Sequence, residues 1–187
     1  LAKGYGVPIL WPVIVEGGIQ VNLAGERFAD ESRGYSEQAK DVLDQPDHVA
    51  FTVYDERLHQ LMHEFQDYRD AVAAGAPRRS ETLAELCQVT GLPEQALART
   101  LDRVSKMVRG GIRDSLGRDF SGRPALEPPY YAVKVTAALF HTQGGLVVDV
   151  DGRVLRQDGS RLPNLYAGGG AARGISGPGG WGYLAGN

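Results

Sequence analysis

His141-Thr142-Gln143-Gly144-Gly145-Leu146-Val147-Val148-Asp149, answered by Asn164-Leu165-Tyr166-Ala167-Gly168-Gly169-Gly170, is the stretch that decides how this chain is read. From Leu162 to Asn187 the single charged side chain is Arg173, while nine of the last 22 residues are glycine. Disordered tails are charged and poor in apolar residues, so this is no solvated tail. Glycine beside strand-like apolar residues implies main chain that approaches another segment or a ligand closely.

Working outward, residues 146–150 alternate, Asp151-Gly152 is a hairpin-turn pair, and Val154-Leu155 returns. Asp158-Gly159 predicts a second turn before the short strand 165–167. Upstream, Leu58, Leu61, Phe65, Tyr68 and Val72 recur at three- and four-residue steps and predict one amphipathic helix ending at Gly75-Ala76-Pro77. Ser80 is the expected cap of a helix that stops at Gly91. Pro93 opens another, with Leu97, Leu101, Val104 and Val108 on one side and Gly110-Gly111 as its close. Residues 36–45 are weakly helical. Nearer the amino end, residues 7–15 read as extended, and Ile19–Asn22 with Arg27–Ala29 as a hairpin with Glu31 at its end. Residues 112–129 read as a long connection. The expected fold class is α+β: a helical module with a small sheet, then a β-rich, glycine-rich segment.

Bulk properties bound the function. The 187 residues are 42% hydrophobic and 23% charged, with net charge −3, which gives no reason to expect nucleic acid as a partner. Cys87 is alone, so an internal disulfide is excluded and a reducing, cytoplasmic setting is expected. No apolar run reaches the length of a membrane span. The chain starts at Leu1 and stops in an apolar run, Gly182–Asn187, that reads as a helix opening; a piece of a longer protein is expected.

Several motifs have plain explanations. Gly177-Pro178-Gly179-Gly180-Trp181-Gly182 fits G-x-G-x-x-G, but no strand directly precedes it and no acidic residue follows, so it is not read as a dinucleotide fingerprint. His59 and His63 have the spacing of two metal ligands without a third, and read as surface histidines. Asp149, Asp151 and Gly152 read as a turn rather than a calcium loop, and no metal is expected.

The run Phe140–Asp149, then Val154-Leu155 and Leu165–Gly169, resembles the fumarate reductase/succinate dehydrogenase flavoprotein family, whose wider relatives include 3-ketosteroid dehydrogenases and tricarballylate dehydrogenase. Gly25-Glu26-Arg27-Phe28-Ala29-Asp30-Glu31 is similar to the family's G-x-R-F-x-N-E hairpin. Thr82–Leu86 and Gly91-Leu92-Pro93 are similar to its substrate-domain helices, and Pro129–Ala132 to the return crossing. The resemblance implies a capping or substrate domain over residues 1–133 and the carboxy-terminal segment of an FAD-binding domain over 134–187. The Rossmann part lies in a missing amino-terminal FAD domain, which would be a partner along with a small-molecule substrate. It implies an FAD-dependent oxidoreductase that reduces or forms a C–C double bond next to a carbonyl or carboxylate.

By the same resemblance, His141 binds or polarises a carboxylate or carbonyl, Glu31 belongs to a proton relay, and Arg57 lies where the proton-delivering arginine is found. Gly144, Gly145, Gly168, Gly169, Gly170, Gly179 and Gly180, with Tyr183 and Leu184 of the last helix, would lie against FAD. Gly180 replaces the family's second carboxylate-binding arginine and Gly170 its acidic residue, so a dicarboxylate loses a bidentate anchor. Ile175 stands where the steroid branch has a tyrosine, which argues against a ketosteroid. The alternative expectation is a non-catalytic cap module, colourless and able to fold or self-associate without flavin.

Overall fold

The computed structural model describes residues 1–9, 11–139 and 144–174. The chain divides into two compact units, Leu1–Ala138 and Leu139–Asn187. The expected boundary at 133/134 falls inside a strand of the first unit.

The first unit is built on a four-stranded antiparallel sheet in the order β1-β2-β4-β3. Its strands are β1 (Ile19–Val21), β2 (Ala50–Asp55), β3 (Arg78–Ser80) and β4 (Tyr130–Val135). The central pair runs in register from Ala50 opposite Val135 to Asp55 opposite Tyr130. All six residues of β2, Ala-Phe-Thr-Val-Tyr-Asp, are buried. A strand covered on both faces carries no alternation, and for that reason sequence patterning passes over this central element.

Helices α1 (Pro12–Val15), α2 (Tyr35–Leu43), α3 (Glu56–Met62), α4 (Gln66–Ala73), α5 (Leu83–Thr90) and α6 (Glu94–Val108) complete the unit. The core joins Ile14, Ile19, Val53, Tyr54, Leu58, Met62, Tyr68, Leu86, Leu97 and Val133. Asp55 ends β2 and starts α3, its carboxylate accepting from the Leu58 N–H at 3.1 Å.

Four expectations are corrected. The extended segment 7–15 contains α1, with Pro12 at its first turn, where a missing N–H is harmless. Residues 27–29 form no strand. β1 pairs with β2, and the Gln20 N–H on its other edge meets the Glu31 carboxylate at 3.3 Å, so a side chain stands where a hairpin partner was expected. The single helix over 55–74 is two helices, because Phe65 leaves helical geometry and turns α4 so that Tyr68 reaches Tyr54. Thr82, not Ser80, caps α5, its hydroxyl accepting from the Glu85 N–H; Ser80 belongs to β3.

In the second unit, β5 (Arg153–Leu155) and β6 (Arg161–Tyr166) form an antiparallel hairpin around Asp158-Gly159. The expected strand 146–150 is reduced to isolated bridges: Leu146 runs parallel to Ala172, and Val148 antiparallel to Val154. The Asp149–Gly152 turn is present, the Asp149 carboxylate accepting from the Asp151 and Arg153 N–H groups. The molecule is thus a mixed helix-and-sheet protein, as the α+β reading has it.

Candidate functional site

A buried charge cluster lies beside β1. Arg27 donates to Glu31 through Nε at 2.8 Å and pairs with Asp114 at 3.0 Å; Arg118 pairs with Glu31 at 3.0 Å. The four side chains are between 1% and 5% exposed. Two cations facing two anions satisfy the rule that buried charge must be compensated. Both guanidinium groups also lie over the Phe120 ring, at 4.8 and 4.4 Å from its centre.

Arg118 extends this cluster to the carboxyl end of α1. That end closes as a Schellman turn: the Gly18 N–H bonds Val13 O at 2.8 Å and the Gly17 N–H bonds Ile14 O at 3.1 Å. Gly17 has φ +116°, and a Cβ at Gly18 would stand 2.6 Å from Val13 O, so both positions require glycine. Three arginines donate to the carbonyls of this turn. Arg118 reaches Ile14 O at 2.6 Å and Gly18 O at 2.9 Å, Arg123 reaches Val15 O at 2.7 Å, and Arg57 reaches Glu16 O at 3.1 Å. Arg57 Nε lies 4.0 Å from the Asp55 carboxylate, its side chain 39% exposed, at a hollow of about 340 Å³ lined also by Glu56, Pro124, Ala125, Glu127 and Pro128. Glu31 and Arg57 are therefore joined through Arg118 and one turn of backbone. Arg118 and Arg123 were not singled out in the sequence; Gly17-Gly18 behind a Pro-started turn is the signal that could have drawn attention to them.

A second row lies across β2, α3, α4 and β4. The Tyr54 and Tyr68 hydroxyls are 2.8 Å apart, Tyr68 is 2.7 Å from His59 Nδ1, and His59 Nε2 is 3.1 Å from His63 Nε2. Tyr131 stacks on His59 at 4.2 Å between ring centres and donates to Glu56 at 2.6 Å. His59 and His63 are half-buried and bonded to each other, not surface histidines. Burial, then the neighbouring His63, lowers the His59 pKa. Burial, then the Glu56 hydrogen bond, pushes the Tyr131 hydroxyl up to about 12. Among the described residues no group of three His, Cys, Asp or Glu could hold a metal ion, and no helix is long and apolar enough to cross a membrane.

The glycines of the second unit differ from one another. A Cβ at Gly145 would meet the main chain of Ala172 and Arg173 at 2.5 to 2.7 Å, so this glycine serves a chain-to-chain approach. At Gly144, Gly168, Gly169 and Gly170 a Cβ would meet no described atom within 4 Å. His141, Gly179, Gly180, Tyr183 and Leu184 lie outside the described residues.

The family model of the FAD binding domain matches residues 11–187, and the chain belongs to that family. A fumarate reductase (cytochrome) of Shewanella frigidimarina is 27% identical over 172 residues, 92% of this chain and 30% of the relative. A 3-oxosteroid 1-dehydrogenase of Mycobacterium tuberculosis is 30% identical over 213 residues, 90% of this chain and 38% of the relative. The open conformation of a flavocytochrome c3 fumarate reductase superposes with a TM-score of 0.74 at 26% identity, covering 90% of this chain and 29% of that one. The chain thus spans about a third of these relatives. The cofactor of this family is FAD.

Proposed function

We propose that this chain belongs to an FAD-dependent oxidoreductase that reduces or forms a C–C double bond next to a carbonyl or carboxylate. Residues 1–133 act as its substrate-capping part and 134–187 as the closing segment of its flavin-binding part. The observation that carries this reading is the family match over residues 11–187, beside the likeness to a fumarate reductase and a 3-oxosteroid 1-dehydrogenase.

FAD would supply the hydride chemistry; the protein would bind, orient and handle the proton. Gly144 and Gly168–Gly170, where a Cβ would meet no described atom, fit close approach to the flavin, and Gly145, Gly179, Gly180, Tyr183 and Leu184 complete the proposed cofactor contacts. Arg57 fits proton delivery or substrate binding, because it is held by its backbone contact and lines a hollow. His141 is assigned to the substrate carbonyl or carboxylate. Glu31 is assigned to the relay or to holding it. Anaerobic mixing of the whole flavin-loaded protein with a panel of α,β-unsaturated acids, ketones and steroids tests the activity, read as flavin bleaching or reoxidation. Normal turnover in both Arg57→Ala and His141→Ala would remove those two assignments, and a flavin inert to the whole panel would remove the reaction class.

A second reading, a cap that folds without flavin, is favoured by one observation: the first unit encloses its own core. FAD titration against this chain tests the second reading; tight, stoichiometric binding rules it out.

A further inference from the structure

Arg57 is the least enclosed of the arginines on the α1 turn, and Arg118 the most. The Arg57 side chain is 39% exposed and holds its place through Glu16 O and the more distant Asp55 carboxylate. The Arg118 side chain is 2% exposed, is braced by Glu31 at 3.0 Å and Phe120, and forks across Ile14 O and Gly18 O on either side of Glu16. A four-residue helix cannot hold its own carboxyl end rigidly, since hydrogen bonding within so short a segment is marginal. The place of Glu16 O is therefore held with the help of the arginines on the neighbouring carbonyls, Arg118 on Ile14 O and Gly18 O and Arg123 on Val15 O.

We propose that Arg118 is a positioning residue for Arg57: it transmits the fixed position of the buried Glu31 carboxylate through the Ile14–Gly18 turn to the guanidinium at the hollow. This rests on the role assigned to Arg57 above. Lysine in place of Arg118 keeps the charge opposite Glu31 but cannot fork across two carbonyls. In the whole flavin-loaded protein, Arg118→Lys lowers kcat by about 10- to 100-fold, the size expected for a misplaced catalytic group. FAD content stays unchanged. In an Arg57→Lys background the same substitution lowers kcat by less than about threefold, since both act through one group.

Additive losses would overturn the inference. Where Arg118→Lys fails to fold, Arg118→Gln, which keeps a donor but loses the fork, takes its place with the same expectation. Should Arg57→Lys itself turn over normally, the role of Arg57 falls, and ¹⁵N-arginine spectra of this chain decide the positioning separately. Arg118→Lys then shifts the Arg57 side-chain resonance and leaves that of Arg79, paired with Glu56 and Glu81, unmoved. An unshifted Arg57 overturns it.

Discussion

His59 Nε2 and His63 Nε2 lie 3.1 Å apart with their rings nearly perpendicular, so one nitrogen must donate and the other accept. Tyr54 is fully buried and its hydroxyl meets that of Tyr68. The assignment that leaves no buried hydroxyl unpaired runs outward: Tyr54 donates to Tyr68, Tyr68 to His59 Nδ1, and His59 Nε2–H to His63. His59 is neutral in this arrangement, and a second proton between the two Nε2 atoms breaks it.

Stability should therefore depend on pH through His59. The folded His59 pKa lies below its ordinary value of 6.5, so the unfolded chain takes up the proton first on acidification. The stabilisation is fully present above about pH 6.5, the ordinary histidine value, and is lost as pH falls from there through the lowered folded pKa. Melting temperatures measured from pH 7.5 to 5 should drop, and His59→Gln should flatten the dependence. Glu56 and Arg79 also face His59 and act in opposite directions, so an unchanged slope in His59→Gln would assign the effect elsewhere.

Tyr68→Phe removes the middle of the row and strands the Tyr54 hydroxyl in the core. A buried polar group left unpaired costs about 1–3 kcal/mol, and urea unfolding should show a loss of that size. Tyr54→Phe, which removes the end of the row and leaves the Tyr68–His59 bond in place, should cost less. Equal losses would contradict the outward direction of the chain.

Glu31→Ala leaves Arg27 and Arg118 buried with Asp114 as the remaining carboxylate of the cluster. Breaking a buried ion pair by removing one partner costs about 3–5 kcal/mol, enough to unfold a marginal domain. Chemical denaturation of the first unit is the measurement, and a loss below about 1 kcal/mol, the range of a surface pair, would mean that water reaches the cluster.

Glycine positions in the second unit should separate cleanly. Gly145→Ala drives a methyl group into the main chain of Ala172 and should disrupt the Leu146–Arg173 pairing, read as faster amide exchange at those two N–H groups. Gly168→Ala meets open space and should leave amide exchange unchanged. In the whole protein that second substitution should instead weaken FAD binding; if FAD affinity is unaffected, the proposed cofactor contact at Gly168 is lost.

The helices α5 and α6 were legible because amphipathic spacing and stop signals such as Gly91 and Gly110 are local properties of the chain, and the turns at Asp151-Gly152 and Asp158-Gly159 were legible for the same reason. The family resemblance was legible too, since its motifs are short and contiguous. Tertiary structure alone decided the rest. β2 is buried on both faces and so lacks alternation. The break at Phe65 depends on Tyr54 and His59, which Tyr68 must reach. Glu31 is bound by Arg27, four residues away, and by Arg118, 87 residues further along the chain. Contacts at that separation leave no periodic trace, because burial of charge is settled by which segments meet and not by spacing within any one of them.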